Sequence, residues 1–266
     1  MKRELKIIVA NPSGNITIFV MTPCNKSDYQ KITNALLSLT NYEAEQVAFV
    51  LEGHPASVDG AINMSGMEFC GNASRSYGLL LANNNNKTEF NIAISGAKEP
   101  VKATADPVTG FAKVNMPLPK SISAYPKYDG TLVDMDGIVH LVVDISKYSP
   151  DSFESIRDGY YKDNNPPAFG VMYYNYKENF MTPVVYVRDV NTVYHEGSCG
   201  SGTVALAVSL SKANNYADSL YNIEQPSGSI ESAVHMADGK PTSVTIGGPV
   251  SLSKEIILNI NIESDL

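Results

Sequence analysis

The sequence predicts an α+β fold made of two pseudo-symmetric halves, each with strands wrapped around one central helix. Three observations lead to this prediction: a short cysteine motif occurs twice, the segments after it repeat at matching distances, and each motif joins a strand-like run to a helix-like run. The 266 residues are 43% hydrophobic and 18% charged, as is ordinary for a globular protein. We place the halves at residues 1–122 and 123–266, and the C-terminal strand is free to cross back to the first half.

The repeat begins at two cysteines. The run CGNASRSYGLLLA starts at Cys70, and the run CGSGTVALAVSLS starts at Cys199. After each run come a Ser-Gly pair (Ser95-Gly96 and Ser227-Gly228), an aspartate and a proline, in the same order and at almost the same spacing. Because chance would not keep this spacing through several elements, we infer an internal duplication.

The first half reads as strands around the cysteine helix. The runs KIIVA and ITIFVMT are rich in β-branched residues and flank a Pro-Ser-Gly-Asn turn, which predicts two strands. Next comes SDYQKITNALLSL, which has helical spacing and can be capped by Ser27 and Asp28. The strand VAFVLE, the cysteine helix to about Ala82, and the strands FNIAIS, VKATAD and FAKVNMP complete the half.

The second half starts after PLPKSISAYPKYDG, which is rich in proline and polar residues and marks the boundary. It opens with the strand GIVHLVVDIS and a capped helix in SPDSFESIRDGYYK, and then follows the order of the first half.

Composition narrows the classes of partner and compartment. A net charge of -8 argues against nucleic acid or an anionic membrane as a partner. The sequence has no apolar run of the roughly 20 residues that span a bilayer and no segment typical of a signal peptide. Three cysteines cannot all pair, so we expect free thiols and a cytoplasmic location. The histidines form no cluster at ligand spacing and nucleotide-binding motifs are missing, so we expect neither a metal nor a cofactor.

The two cysteine motifs suggest acid-base chemistry. A cysteine at a helix start faces unpaired backbone N–H groups and the positive end of the helix dipole, so we expect Cys70 and Cys199 to have lowered thiol pKa values. The same N–H groups can hold a carboxylate. If the halves bring both helix starts to one cleft, one thiolate removes the α-proton of a bound amino acid and the other thiol protonates the opposite face. A lone motif of this type is more often structural, but two equivalent copies favour function. Cys24, in MTPCNK, has neither a duplicate nor this motif, so we expect it to be structural.

Both motifs, on duplicated halves, resemble those of the cofactor-independent diaminopimelate epimerase and proline racemase superfamily. The resemblance spans nearly the whole chain. Longer strings are similar to the histidine racemase branch, whose members supply D-histidine for opine-type metallophores: NPSGN-T (11–17), EQV-F (45–49), MSG-EFCGNA (64–73), SCGSGT (198–203) and QP-GSI (225–230). The resemblance implies the diaminopimelate epimerase-like fold, with the active site in the cleft between the halves.

The resemblance also implies roles for individual residues. The two catalytic thiols fall on Cys70 and Cys199, and His140 falls on a histidine that tunes the protonation of a thiol. Glu45 and Glu196 match acids that lie against the thiols or the substrate ammonium. The substrate-binding positions fall on Gly14, Asn15, Gly71, Asn72, Ala73, Gly200, Ser201 and Gly202.

Two departures bear on the substrate. Diaminopimelate epimerases carry a Glu-Arg pair before the second cysteine and an Asn-Pro-His segment, whereas this chain has Glu196-Gly197-Ser198 and Ile138-Val139-His140. A site without these polar groups should reject a substrate with a second amino-acid head. Histidine is therefore the favoured substrate. A racemase or epimerase of another amino acid (diaminopimelate, proline or hydroxyproline), a related isomerase or dehydratase, and a non-catalytic amino-acid-binding protein stay open as alternatives, as does a homodimer.

Overall fold

The computed structural model describes residues 2–261 and contains four α-helices and eighteen strands over that range. The helices are α1 (Tyr29–Leu37), α2 (Gly71–Asn84), α3 (Phe153–Tyr161) and α4 (Gly200–Asn214). The strands are β1 (Lys2–Asn11), β2 (Thr17–Val20), β3 (Gln46–Val50), β4 (Gly60–Met64), β5 (Glu89–Ile94), β6 (Val101–Asp106), β7 (Phe111–Asn115), β8 (Ser121–Tyr125), β9 (Gly130–Asp134), β10 (Ile138–Asp144), β11 (Ala168–Asn175), β12 (Phe180–Val187), β13 (Thr192–His195), β14 (Asp218–Gln225), β15 (Gly228–Ala237), β16 (Lys240–Pro249), β17 (Ser251–Leu252) and β18 (Ile256–Asn261).

The chain divides into two compact units. The first comprises the chain up to Asn115 together with the chain from Gly247 onward, and the second comprises Met116–Ile246. The boundary expected after residue 122 therefore lies inside the second unit. Both units contain helices and both parallel and antiparallel strand pairs, which confirms the predicted α+β class.

In the first unit, each parallel strand pair is joined by a helix. Strand β1 pairs antiparallel with β2, β2 parallel with β3, β3 antiparallel with β4, β4 parallel with β5, and β5 antiparallel with β6. Parallel neighbours need a crossover connection, and α1 and α2 supply the two crossovers. The last strand, β18, returns to pair antiparallel with β1.

The second unit follows the same order of pairings. Strand β9 pairs antiparallel with β10, β10 parallel with β11, β11 antiparallel with β12, β12 parallel with β14, and β14 antiparallel with β15. Helices α3 and α4 make the crossovers. The cysteine helix thus has an equivalent place in both units. In the first unit α2 follows β4, the fourth strand of this order, and in the second unit α4 follows the equivalent strand β12 after the short strand β13.

Helices α1 and α3 each cover one apolar cluster. In the first unit, Ile32 and Leu36 of α1 pack with Leu5, Ile18 and Val47. In the second unit, Phe153, Ile156 and Tyr160 of α3 pack with residues of β10 and β11, among them Leu141 and Val171. The predicted side-chain cap of α1 is not made, because Asp28 instead accepts a hydrogen bond from Arg3 at 2.9 Å.

Helices α2 and α4 are buried on nearly all sides, which explains their small and apolar composition. Every residue of α2 from Gly71 to Leu80 is buried, and most residues of α4 are as well. At Gly78, an added Cβ would lie only 3.0 Å from the Cβ of Ala103 on β6, so small residues allow close packing against the sheet. Cys199, at the start of α4, is buried as well, whereas Cys70, at the start of α2, is half-buried.

Candidate active site

Cys70 lies at the N-terminal cap of α2. Its backbone is extended (φ -129°, ψ 112°), and its sulfur accepts a hydrogen bond from the Ala73 N–H at 3.4 Å. The Ser74 hydroxyl donates to the Cys70 carbonyl oxygen at 2.8 Å, which fixes the first turn. The sulfur therefore occupies the place that a capping oxygen takes in most helices.

Cys199 is held in the same way at the start of α4. Its backbone angles are φ -122° and ψ 110°, and its sulfur accepts a hydrogen bond from the Gly202 N–H at 3.3 Å. The Cys199 N–H donates to Gln225 Oε1 at 2.8 Å, and the Gln225 amide donates to Thr203 Oγ1 at 2.9 Å. Gln225 thus ties the cysteine to the end of β14.

Burial has the larger effect on both thiols. It raises the pKa of Cys70 to about 11, although hydrogen bonds from Ala73 and Gln46 lower it. Burial also raises the pKa of Cys199 well above its usual range, and the neighbouring Glu196 raises it further. The expectation of lowered thiol pKa values is therefore wrong: loss of solvation outweighs the helix-end N–H groups.

A polar network surrounds Cys70. The side-chain amide of Gln46, the first residue of β3, donates to the Cys70 sulfur at 3.3 Å and to Asn15 Oδ1 at 2.8 Å. Asn72 Nδ2 also donates to Asn15 Oδ1, at 3.4 Å. Glu45 accepts from the Asn15 N–H at 2.9 Å and from Asn15 Nδ2 at 3.4 Å. Asn15 is therefore the centre of the network, and Glu45 fixes which way its amide points.

A left-handed turn positions Asn15. Ser13, Gly14 and Asn15 all have positive φ angles (63°, 87° and 55°). The Gly14 N–H donates to Asn11 Oδ1 at 2.8 Å, which closes the turn at the end of β1. Such angles are uncommon outside glycine and asparagine, so this segment is held by its surroundings.

A hydroxyl connects Cys199 to His140. Ser201 Oγ lies 3.6 Å from the Cys199 sulfur and 2.9 Å from His140 Nε2. His140 is fully buried, which lowers its pKa to about 3, so the imidazole is neutral. Its ring faces Gly170, the paired residue on β11, where an added Cβ would lie 2.5 Å from Nδ1. A glycine in β11 thus makes room for the ring.

The repeated Ser-Gly pairs support the segments before the cysteines. Ser95 Oγ donates to the Glu68 carbonyl oxygen at 2.9 Å, and an added Cβ on Gly96 would lie 2.2 Å from the Phe69 nitrogen. In the second unit, the Ser227 N–H donates to the Gly197 carbonyl oxygen at 2.9 Å. The duplicated motif therefore contacts the chain two residues before each cysteine.

Comparison with known proteins identifies the family. The sequence profile described as the histidine racemase CntK N-terminal domain matches residues 4–256. The chain belongs to the histidine racemase family. A curated histidine racemase from Fusobacterium nucleatum subsp. nucleatum is 32% identical over 265 residues, which cover 94% of this chain and 95% of the relative. A histidine racemase from Staphylococcus aureus is 27% identical over 83% of this chain and 85% of the relative.

Solved structures of epimerases share the fold. A hydroxyproline epimerase from Agrobacterium vitis, with bound trans-4-hydroxy-L-proline, has a TM-score of 0.64 and 12% identity and covers 97% of this chain and 91% of its own. A protein from Pseudomonas aeruginosa that is described as a predicted epimerase has a TM-score of 0.67 and 13% identity, and the match covers 96% of this chain and 99% of its own. The predicted resemblance is confirmed, and this member of the histidine racemase family is an isomerase of the racemase class.

Within each unit of the racemase, most of the predicted site residues lie together. Asn15, Glu45, Cys70 and Asn72 form one network, and His140, Glu196, Cys199 and Ser201 form the other. Glu196 acts directly on the Cys199 thiol. Its expected counterpart Glu45 does not contact Cys70 in this way, because it is hydrogen-bonded to Asn15. The side chain that contacts the Cys70 sulfur is Gln46. The sequence reasoning missed Gln46, Gln225 and Arg75. The two glutamines lie in the strings EQV and QP, which resemble the family, but nothing in their positions along the sequence indicates that they contact the cysteines.

None of the helices in residues 2–261 combines the length and apolar composition that a membrane crossing requires. Over the same residues, the histidines, cysteines and acids form no group of three that could hold a metal ion.

Glu196→Gln is expected to shift the titration of Cys199 to lower pH. The carboxylate raises the pKa of the Cys199 thiol through its charge and a hydrogen bond, so a neutral amide should leave the thiolate easier to form. The measurement is the pH dependence of Cys199 alkylation by iodoacetamide in a chain that also carries Cys24→Ser and Cys70→Ala. Glu154→Gln, an exposed acid at the start of α3, is the matched control. An unchanged or higher midpoint in Glu196→Gln would contradict the assignment.

Proposed function

We propose that this protein is a histidine racemase that works without pyridoxal phosphate and uses Cys70 and Cys199 as a thiolate and thiol pair. One sulfur removes the α-proton of histidine, and the other delivers a proton to the opposite face. Because one group must be charged and the other protonated, the two thiols titrate as a pair. The proposal requires the two units to act as pseudo-symmetric halves that present both thiols to one substrate.

The observation that carries the proposal is the equivalent placement of the two thiols. Each cysteine caps a buried helix with the same extended backbone, and each sulfur accepts an N–H hydrogen bond from the residue three positions later. A structural role for one buried cysteine would be ordinary. Two thiols in matched positions of a histidine racemase family member favour a shared reaction.

The helix starts also supply sites for the substrate carboxylate. The first N–H groups of a helix have no acceptor within it, so Gly71 and Asn72 in α2 and Gly200 and Ser201 in α4 are suited to bind an anion. Negative charge grows on the carboxylate as the α-proton leaves, and these fixed N–H groups stabilise it. Asn15 at the left-handed turn is suited to contact the substrate beside Cys70.

The substrate assignment rests on the family. The relatives at 32% and 27% identity are both described as histidine racemases, and they align over most of this chain. The chain also lacks the Glu-Arg pair and the Asn-Pro-His segment of diaminopimelate epimerases.

The test is a deuterium experiment without added pyridoxal phosphate. L-histidine incubated with the protein in deuterium oxide is expected to give D-histidine labelled at the α-carbon, while the remaining L-histidine stays largely unlabelled early in the reaction. Equal early labelling of both enantiomers would contradict the two-base mechanism. Exchange with another amino acid but not with histidine would reassign the substrate. A protein that binds histidine but exchanges no α-proton in any standard amino acid would be a binding protein.

A further inference from the structure

Arg75 is a fully buried cation next to the proposed catalytic site. It is among the largest side chains with no exposed surface, and it lies five residues after Cys70 on α2. Burying a charge without a partner destabilises the folded protein. An arginine in this place therefore needs a reason beyond packing.

The hydrogen-bond partners of Arg75 are all neutral. Its Nε donates to Asn72 Oδ1 at 3.1 Å, and its terminal nitrogens donate to the carbonyl oxygens of Pro12, at 2.5 Å, and Pro249, at 3.3 Å. Over residues 2–261, no carboxylate forms a salt bridge with it. These contacts fix the guanidinium but leave its charge uncompensated.

The acidic group that acts on Arg75 is Cys70. Burial lowers the pKa of Arg75 to about 10, and attraction to the Cys70 thiolate opposes that change. The contacts link the two residues, because Asn72 accepts from Arg75 and donates to Asn15, whose Oδ1 lies 3.9 Å from the Cys70 sulfur. A thiolate at Cys70 would supply the missing counter-charge.

Some of the other groups around Cys70 favour its thiolate, and others disfavour it. The Gln46 and Ala73 N–H groups donate to the sulfur and favour the thiolate. The Glu68 carboxylate, two residues before Cys70, disfavours it, and Asn15 Oδ1 is an acceptor for the thiol hydrogen. Glu45 acts through Asn15, with which it is hydrogen-bonded. Arg75 is the cation on which the charge of Cys70 acts.

The second unit has no equivalent charge. Five residues after Cys199 on α4 lies Val204, which is fully buried. The charged residue that acts on Cys199 is instead the acid Glu196. An acid that disfavours the thiolate precedes each cysteine, Glu68 in the first unit and Glu196 in the second. The difference between the two units is therefore the buried cation Arg75, whose equivalent position on α4 is the apolar Val204.

From this asymmetry we propose that Arg75 is a buried counter-charge for the Cys70 thiolate, so that Cys70 rather than Cys199 carries the negative charge of the thiol pair. Arg75 is a positioning residue that acts through the charge on Cys70. The link to racemisation rests on the proposed function, but the charge relationship does not.

The test measures each thiol separately. One variant carries Cys24→Ser and Cys199→Ala and keeps Cys70 as its single cysteine. The other carries Cys24→Ser and Cys70→Ala and keeps Cys199 as its single cysteine. The rate of iodoacetamide alkylation is followed across a pH series by mass spectrometry. At pH values below the titration midpoint of Cys70, Arg75→Met is expected to slow Cys70 alkylation by about tenfold or more. Tenfold is the change in thiolate population that corresponds to one pKa unit. Arg75→Lys keeps the positive charge, so the rate of Cys70 alkylation should fall much less in this variant.

The same experiment contains its controls. Arg75→Met should leave Cys199 alkylation unchanged, and Arg188→Met, which removes a surface charge in the second unit, should leave Cys70 alkylation unchanged. An unaltered Cys70 profile in Arg75→Met, or an equal loss in Arg75→Lys, would overturn the proposal. If circular dichroism shows that Arg75→Met is unfolded, the test compares the two single-thiol chains with Arg75 intact. The proposal then requires Cys70 to form its thiolate at lower pH than Cys199, and the reverse order would overturn it. Alkylation reports on Arg75 even if the protein does not racemise histidine, so the two proposals can fail separately.

Discussion

Cys70→Ala and Cys199→Ala are each expected to reduce histidine racemisation by about 10²- to 10⁴-fold, the usual contribution of a positioned acid or base. Inversion needs a proton donor and a proton acceptor on opposite faces of the α-carbon, so removal of either sulfur should stop turnover in both directions. Circular dichroism at the histidine absorption band, or chiral chromatography, measures the rate from each enantiomer.

The remaining thiol gives a sharper result. Each single variant keeps one sulfur, which should still exchange the α-proton of one enantiomer with deuterium oxide without inverting it. Cys24→Ala is the matched control, because Cys24 donates to the Thr22 carbonyl oxygen away from both networks. Racemisation near the unaltered rate in either Cys70→Ala or Cys199→Ala would exclude the two-thiol mechanism.

Gly96→Ala is expected to have the second large effect. Gly96 has a φ of 76°, where a side chain costs about 1–3 kcal/mol in strain. Its added Cβ would also lie 2.2 Å from the backbone nitrogen of Phe69 and 2.6 Å from the Glu68 carbonyl carbon. Because backbone atoms cannot rotate away, the segment before Cys70 must shift. Both stability, by urea unfolding, and kcat should fall.

Gly53→Ala separates backbone strain from the steric clash. Gly53 has a similar φ of 69°, but an added Cβ there meets no atom within 4 Å. This variant should lose only the strain energy and keep the activity of the unaltered protein. Equal stability and equal kcat in the two variants would contradict a role for Gly96 in supporting the Cys70 segment.

The local features of the fold could be read from the sequence. The start of α2 after Cys70 and the start of α4 after Cys199 are predicted by the same cysteine motif, which precedes a helix-like run of small residues in both halves. The strands follow from runs of β-branched residues, and these patterns fix the α+β class. The family could be predicted because whole motifs carry the resemblance.

Contacts between distant segments could not be read in this way. Gln46, not Glu45, reaches the Cys70 sulfur, because the register of β3 decides which of two adjacent side chains faces α2. The expected capping bond from Asp28 is replaced by a bond to Arg3, which comes from another part of the chain. Both differences arise from tertiary packing that competes with a local preference.

The sequence by itself determined the duplicated motifs, the two helix starts, the elements around them and the histidine racemase family, because each depends on residues that are neighbours in the chain. The tertiary structure decided the electrostatics of the thiols. Burial raises the pKa of both, Arg75 is linked to Cys70 through Asn72 and Asn15, Glu196 acts on Cys199, and His140 reaches Cys199 through Ser201. Charge energies depend on solvent exclusion and on distances between atoms far apart in the chain, so the fold sets them.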